Sequence, residues 1–387
     1  MKINPRNPIH WLLLALQGVY TLIGVSTRKL PRRNHKPLVI LYGHQLSGNL
    51  LALYEEWKKS HQESMDMFFL ALDPSYARGL EKNEVNVLRC YRLIDMIRST
   101  RCQAMITDHG LHAMQPLLRL TNIRFIDVWH GIPFKGFDPK DFKLQHQYDE
   151  VWVSSPLLKK IYIEKFGFPP KKVIPLGYAR ADKLFRRDPP KDDIHTLLGI
   201  QKGRRIVLYA PTWQQDEKGR TLFPFGESQN SFNRALANTC KNHNATLVIR
   251  GHLNTSIQPY HIENVAFCSM RDYEDTEELL LQSDALICDW SSIAFDYLAL
   301  ERPTVFLDIP NPFRNGFTLN NEFRVGCIVK STKELTTELG KLLTSPKKFT
   351  KKYGRTYSKA LAAVYGQNTY GNVSQRQITR LIRLLQD

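Results

Sequence analysis

Ala285-Leu-Ile-Cys-Asp-Trp-Ser-Ser-Ile-Ala-Phe-Asp-Tyr-Leu-Ala-Leu300 is the stretch on which the fold turns. Its first four residues are apolar and read as a buried strand; Asp289-Trp-Ser-Ser292 reads as a turn. Ile293, Phe295, Leu298 and Leu300 then recur at helical spacing. The hydroxyl of Ser291 or Ser292 can cap that helix by accepting from a free N–H of its first turn. A strand feeding a helix N-terminus is an ordinary element of any Rossmann-like unit. It is also where doubly wound α/β proteins hold phosphate.

The same alternation extends both ways. Upstream, strands are read at Leu38–Tyr42, Met65–Leu72, Val85–Cys90, Ala104–Thr107, Ile123–Val128, Val151–Ser154 and Lys172–Pro175, with helices at 50–59, 91–99, 111–118 and 156–166. Arg186-Arg-Asp-Pro-Pro-Lys-Asp-Asp193 is polar and proline-bearing, and reads as a linker. A second series follows: strands at Arg205–Ala210, Thr246–Arg250, Val265–Cys268, Thr304–Asp308 and Gly326–Val329, with helices at 232–242, 276–282 and 333–343. The fold class is therefore α/β: two Rossmann-like domains with parallel sheets, facing a cleft in the glycosyltransferase-B manner. The expected divisions are an N-terminal segment 1–33, a first domain 34–185, a second domain 186–345 and a basic helical tail 346–387.

In 387 residues, 54 basic side chains against 37 acidic leave a net charge of +17, which favours anionic partners: nucleic acid, an acidic membrane surface or a phosphorylated substrate. Six scattered cysteines without a CxxC pair suit buried free thiols better than disulfides or zinc. Near the N-terminus, Trp11–Val25 is apolar apart from Gln17, Tyr20 and Thr21, and Arg28, Lys29, Arg32 and Arg33 follow. The run falls short of the ~20 residues a spanning helix needs. With its basic neighbours it reads as an interfacial anchor on anionic lipid, and otherwise as a buried first helix.

Three further strand ends carry polar chemistry. In Asp127-Val-Trp-His-Gly-Ile-Pro-Phe-Lys135 an imidazole, His130, sits where it can take a proton from an attacking hydroxyl. In Arg250-Gly-His252 a guanidinium and an imidazole leave one strand together, a pairing suited to a diphosphate. In Tyr209-Ala-Pro-Thr-Trp213, Thr212 can donate to phosphate. Each also has a bland reading, as a loop histidine, a loop polar cluster or a buried aromatic corner.

Taken in order, Trp129–Lys135, Tyr209–Trp213, Arg250-Gly-His252 and Asp289–Tyr297 resemble the motifs of the CDP-glycerol glycerophosphotransferase family, which makes teichoic acids and related polyol-phosphate polymers. Ser47-Gly-Asn-Leu-Leu-Ala-Leu-Tyr54, Gly177–Asp182 and Tyr370-Gly-Asn-Val-Ser-Gln-Arg376 are similar to that family as well. The chain departs from it at Trp290, where tyrosine is usual, at Leu253 and at Ala179, where proline is common.

The resemblance implies transfer of glycerol phosphate from CDP-glycerol to a hydroxyl of a membrane-linked or polymeric glycan, releasing CMP, at the cytoplasmic face of the membrane. It implies His130 as general base and His252 as a second catalytic residue. Thr212, Arg250, His252, Asp289, Ser291, Ser292 and Asp296 would serve the donor; Trp129, Gly131, Lys135 and Arg180 would line the acceptor side. No Asp-x-Asp stands in a context for a metal-held nucleotide, so no metal or cofactor is expected. Teichoic acid, capsule and lipopolysaccharide acceptors are all compatible, as is CDP-ribitol for CDP-glycerol. The rivals are a nucleotide-sugar transferase of the same architecture, which would release a nucleoside diphosphate, and a basic nucleic-acid-binding protein. Against the latter, the basic residues are spread along the chain and form no recognised binding module, so nucleic acid is not expected as a partner.

Overall fold

The computed structural model describes residues 7–28, 36–212, 224–251, 261–270, 272–311 and 313–386. They form two compact units: residues 1–130, 139–182 and 370–387 in the first, 131–138 and 183–369 in the second.

The first unit is built on strands β1 (Leu38–Tyr42), β2 (Asp66–Ala71), β3 (Val87–Arg89), β4 (Ala104–Thr107), β5 (Arg124–Asp127), β6 (Glu150–Trp152) and β7 (Val173–Ile174). They form one parallel sheet in the order β3-β2-β1-β4-β5-β6-β7. β1 is buried along its whole length, which is why its sequence is an unbroken apolar run rather than an alternation. Val39 and Leu41 face a core with Leu50, Leu53 and Trp57 and with Val373, Ile378 and Leu381 from the last helix. Leu38, Ile40 and Tyr42 face the opposite core with Leu13, Met96 and Met114.

The helix Pro8–Ser26 covers that second face, and it is docked with its polar side inward. Leu13, Gln17, Thr21 and Gly24 are its buried residues. Gln17 donates to the Tyr42 hydroxyl at 3.0 Å and to the Cys90 thiol at 3.2 Å. Gly24 lets the helix close on Thr100, whose hydroxyl would lie 2.4 Å from any added Cβ. Ile9, Trp11, Leu12, Val19 and Leu22 are all more than half exposed. At 19 residues the helix is longer than the apolar run that suggests it, and by length and composition it is long and apolar enough to cross a membrane. Of the basic cluster after it, Arg28 donates to the Thr100 carbonyl at 2.6 Å, and Lys29, Arg32 and Arg33 lie outside the described residues.

The second unit has strands β8 (Arg205–Ala210), β9 (Ala245–Ile249), β10 (Val265–Phe267), β11 (Ala285–Cys288), β12 (Thr304–Leu307) and β13 (Cys327–Val329), parallel and ordered β10-β9-β8-β11-β12-β13. Tyr357 and Tyr365 of the long helix Pro346–Tyr365 reach the carbonyls of Tyr297 and Phe295, fixing it to the helix Ile293–Leu298.

The chain passes between units at 130/131, 138/139, 182/183 and 369/370, whereas the expected boundary falls at 185/186 and the expected tail is one piece. The tail is in fact divided. Its second helix, Val373–Gln386, returns to the first unit. There the Asp182 carboxylate accepts from the Val373 and Ser374 N–H groups at 2.9 and 2.7 Å, capping the helix from 191 residues away in sequence. Gln377 donates to the Gly177 carbonyl at 2.7 Å, and Arg380 pairs with Glu150. The segments Gly177–Asp182 and Tyr370–Arg376 thus hold each other. All six cysteines are buried and free.

Candidate functional site

In the first unit the strand order reverses between β1 and β4, so the loops leaving their carboxyl ends diverge and open a crevice. His44 leaves β1, Asp108, His109 and His112 leave β4, and Trp129 and His130 leave β5. The imidazoles stack. His109 lies 4.3 Å from His130 with planes 10° apart, and His44 lies 4.3 Å from His109. The Trp129 ring lies 4.4 Å from His130.

Asp108 holds two of these rings. His130 Nδ1 is 3.1 Å from its main-chain carbonyl, and His109 Nδ1 is 2.7 Å from its carboxylate. A carbonyl oxygen can only accept, so His130 Nδ1 carries the proton, and the neutral ring has its lone pair on Nε2. Gly43 permits this arrangement: a Cβ there would lie 2.3 Å from the Asp108 carboxylate.

The inner histidines are held neutral. Burial lowers His44 to about 2, and electrostatic repulsion from the adjoining imidazole of His109 acts in the same direction. Burial also lowers His112 to about 4, and its Nδ1 lies 2.6 Å from the Tyr42 hydroxyl. Beneath them burial raises the Asp127 carboxyl well above the usual range, with Asp108 adding to the shift, which favours its protonated form.

The turn carrying His130 is strained and braced. Trp129 has φ 47°, a left-handed conformation costly for a bulky side chain. Asn49 Nδ2 donates to the carbonyls of Val128 and Trp129 at 2.8 and 2.9 Å, and its Oδ1 accepts from the Arg180 N–H at 3.0 Å. Arg180 in turn donates to the His130 carbonyl at 2.9 Å. Of the residues assigned to the acceptor side, the structure therefore brings Trp129 and Arg180 to His130. Gly131 and Lys135 are grouped with the second unit, where Lys135 bridges to Phe317 and its carbonyl accepts from Thr318 at 2.5 Å.

The second unit repeats the pattern, its strand order reversing between β8 and β11. Asp289, fully buried after β11, accepts from the Thr212 N–H at 2.8 Å, from the Thr212 hydroxyl and from the Trp290 N–H at 2.7 Å. It ties the two diverging loops together. Asp296 is buried in the helix that follows.

Two readings from the sequence need correction in detail. Ser292 stands at the helix N-cap, yet it makes no side-chain capping bond, because its backbone is already helical (φ −60°, ψ −19°) and not extended as a capping residue is. Arg250 is buried, and its guanidinium is engaged inside the unit. It donates to the Tyr273 carbonyl at 2.7 Å and the Thr276 hydroxyl at 2.8 Å, bracing the start of the helix Thr276–Leu281. His252 and Trp213 lie outside the described residues.

Sequence reasoning did not single out Asn49, Asp108, His109, His44 or His112 as site residues. Asn49 lay within a segment already similar to the family, which is the signal that would have found it. The histidines are brought together only by the pairing of β1, β4 and β5. Among the described residues no group of three or more His, Cys, Asp or Glu side chains is placed to hold a metal ion.

Residues 25–382 match the family model described as CDP-Glycerol:Poly(glycerophosphate) glycerophosphotransferase. The chain is 27% identical over 322 residues to a teichoic acid poly(glycerol phosphate) polymerase of Bacillus spizizenii, covering 75% of this chain and 78% of that protein. It is 26% identical over 312 residues to a teichoic acid glycerol-phosphate transferase of Staphylococcus aureus, covering 75% and 77%. Its fold is similar to that of the wall teichoic acid polymerase TagF, with a TM-score of 0.74 at 20% identity over 97% of this chain and 95% of that one. With two parallel-sheet α/β units of the glycosyltransferase-B type and the motifs set at their strand ends, the chain belongs to the CDP-glycerol:poly(glycerophosphate) glycerophosphotransferase family and is an enzyme of phosphoryl-group transfer.

Proposed function

We propose that the chain transfers glycerol phosphate from CDP-glycerol to a polyol or glycan hydroxyl, with His130 as general base. The observation that carries the reading is the bond from His130 Nδ1 to the Asp108 carbonyl, which fixes the tautomer with its lone pair on Nε2. The acceptor oxygen, losing its proton to Nε2, attacks the phosphorus bearing glycerol. The bond to the CMP oxygen breaks, and CMP leaves. Asn49 and Arg180 position the base by holding its turn.

On the donor side the second unit offers the Ser291 and Ser292 hydroxyls and the loop of Thr212, whose position Asp289 sets. Arg250 acts there by bracing Thr276, and its buried positive charge, with His252, favours a diphosphate nearby.

The Pro8–Ser26 helix supports a peripheral seat on the membrane, the place of a lipid-linked acceptor. Its apolar side is turned out, and the chain is basic overall. Incubation with CDP-glycerol, CDP-ribitol and a glycerol-phosphate-ended acceptor, followed by mass spectrometry, tests the reading. Growth by glycerol phosphate with CMP release is expected. His130→Ala should slow transfer by roughly 10²–10⁴ while donor binding persists. Release of a nucleoside diphosphate, or a variant as fast as wild type, would overturn it.

A further inference from the structure

His109 neither takes the proton nor holds the donor, yet it is the imidazole most closely tied to the base. It stacks on His130 at 4.3 Å and 10°, and the two rings take their orientation from one residue. Asp108 accepts His130 Nδ1 on its main-chain oxygen and His109 Nδ1 on its carboxylate. Both Nδ1 atoms face Asp108, so in the neutral rings both Nε2 lone pairs lie on the ring edges turned away from it. Two parallel, like-oriented acceptors one ring-stack apart match a particular donor group, namely two hydroxyls on adjacent carbons. His109 is exposed, whereas His44 behind it is half-buried and held neutral.

We propose that His109 is the specificity-determining contact for a vicinal diol at the acceptor's end. One hydroxyl gives its proton to His130 and reacts, while its neighbour hydrogen-bonds to His109 Nε2 and fixes which oxygen is presented. This rests on His130 being the base. Chemically it selects acceptors that end in a 1,2-diol, as a glycerol phosphate unit does, over those that end in a lone primary alcohol. Asp108 is the positioning residue for both rings, and Gly43 leaves room for its carboxylate.

The test uses the full chain, CDP-glycerol and two synthetic acceptors. One is the octyl phosphodiester of glycerol; the other is the octyl phosphodiester of 1,3-propanediol, which lacks only the neighbouring hydroxyl. Wild type should prefer the diol by about tenfold in kcat/KM, the worth of one good hydrogen bond. His109→Phe keeps a ring to stack on His130 but has no nitrogen. It should bring the ratio near one by raising KM for the diol, leaving the single alcohol within about twofold. His109→Ala should do the same if the phenyl ring is not accommodated.

No preference in wild type, a ratio unchanged by the variants, or an equal loss on both acceptors would overturn the proposal. So would failure of the chain to bind or extend either ester, with calorimetry reading the binding. The last pattern but one would mean that His109 contacts the shared phosphate or only supports the fold. Failure of the base assignment looks different: His130→Ala would keep transfer to both acceptors.

Discussion

Asn49 makes three hydrogen bonds from a buried amide, two of them to the strained turn at Trp129. Its removal leaves the Val128 and Trp129 carbonyls without their side-chain donor, so Asn49→Ala should cost about 2–4 kcal/mol in chemical denaturation. It should also slow turnover, because His130 hangs on that turn; a variant of unchanged stability and rate would refute the brace. The histidines beside it set an acid limit. Unfolded, His44 and His112 would bind protons near pH 6.5. Folded, His112 resists until about 4 and His44 until about 2. Between pH 6.5 and 4 the unfolded chain holds protons that the folded chain does not. Stability therefore falls as pH drops through that window, by about 1.4 kcal/mol per unit for each ring. His44→Gln should flatten the dependence of the urea midpoint between pH 7 and 4.5; an identical slope would show that His44 contributes nothing.

Among the elements, the helix Pro8–Ser26 reverses the usual amphipathic rule, burying Gln17 and Thr21 while exposing Leu12, Val19 and Leu22. Deleting it would strip Tyr42 and Cys90 of their Gln17 partner, so truncation confuses anchoring with folding. Charges on the outer side separate them. Leu12→Glu with Val19→Glu and Leu22→Glu should abolish sedimentation with anionic vesicles and leave the melting temperature nearly unchanged. Persistent vesicle binding would sink the anchor. What could be read at this scale followed from burial. β1, and β8 after Arg205, are apolar because both sides of each sheet are covered, and their bounds were legible to the residue. The helix Pro74–Lys82 went unread because only Ala77 and Leu80 are buried, too few to mark a period, though Asp73 caps it and Pro74 opens it. Arg250 was legible as a strand-end cation. Its engagement by Tyr273 and Thr276 was not, since those partners arrive from another segment.

For the molecule as a whole, the fold class lay in the alternation of elements, but the path of the chain did not. A polar, proline-bearing stretch at 186–193 looks like a junction, while the closure made by Asp182 on Val373 and Ser374 joins residues that no local pattern relates. One consequence concerns how the protein can be cut. Apart from the short stretch 131–138, the second unit is a single insertion, residues 183–369, into the first, and the two sides of the excision point are already fastened by Asp182. Joining Asp182 to Tyr370 through a few glycines and serines, with Phe134→Ser to remove a ring that otherwise packs on Phe295 at 4.3 Å, should yield a soluble miniature with a cooperative melt. The fragment 1–182 alone should aggregate, because the groove that Val373, Ile378 and Leu381 fill would stand open. Added as a peptide, residues 370–387 should rescue it, making the two pieces a complementation pair whose assembly can be switched on at will.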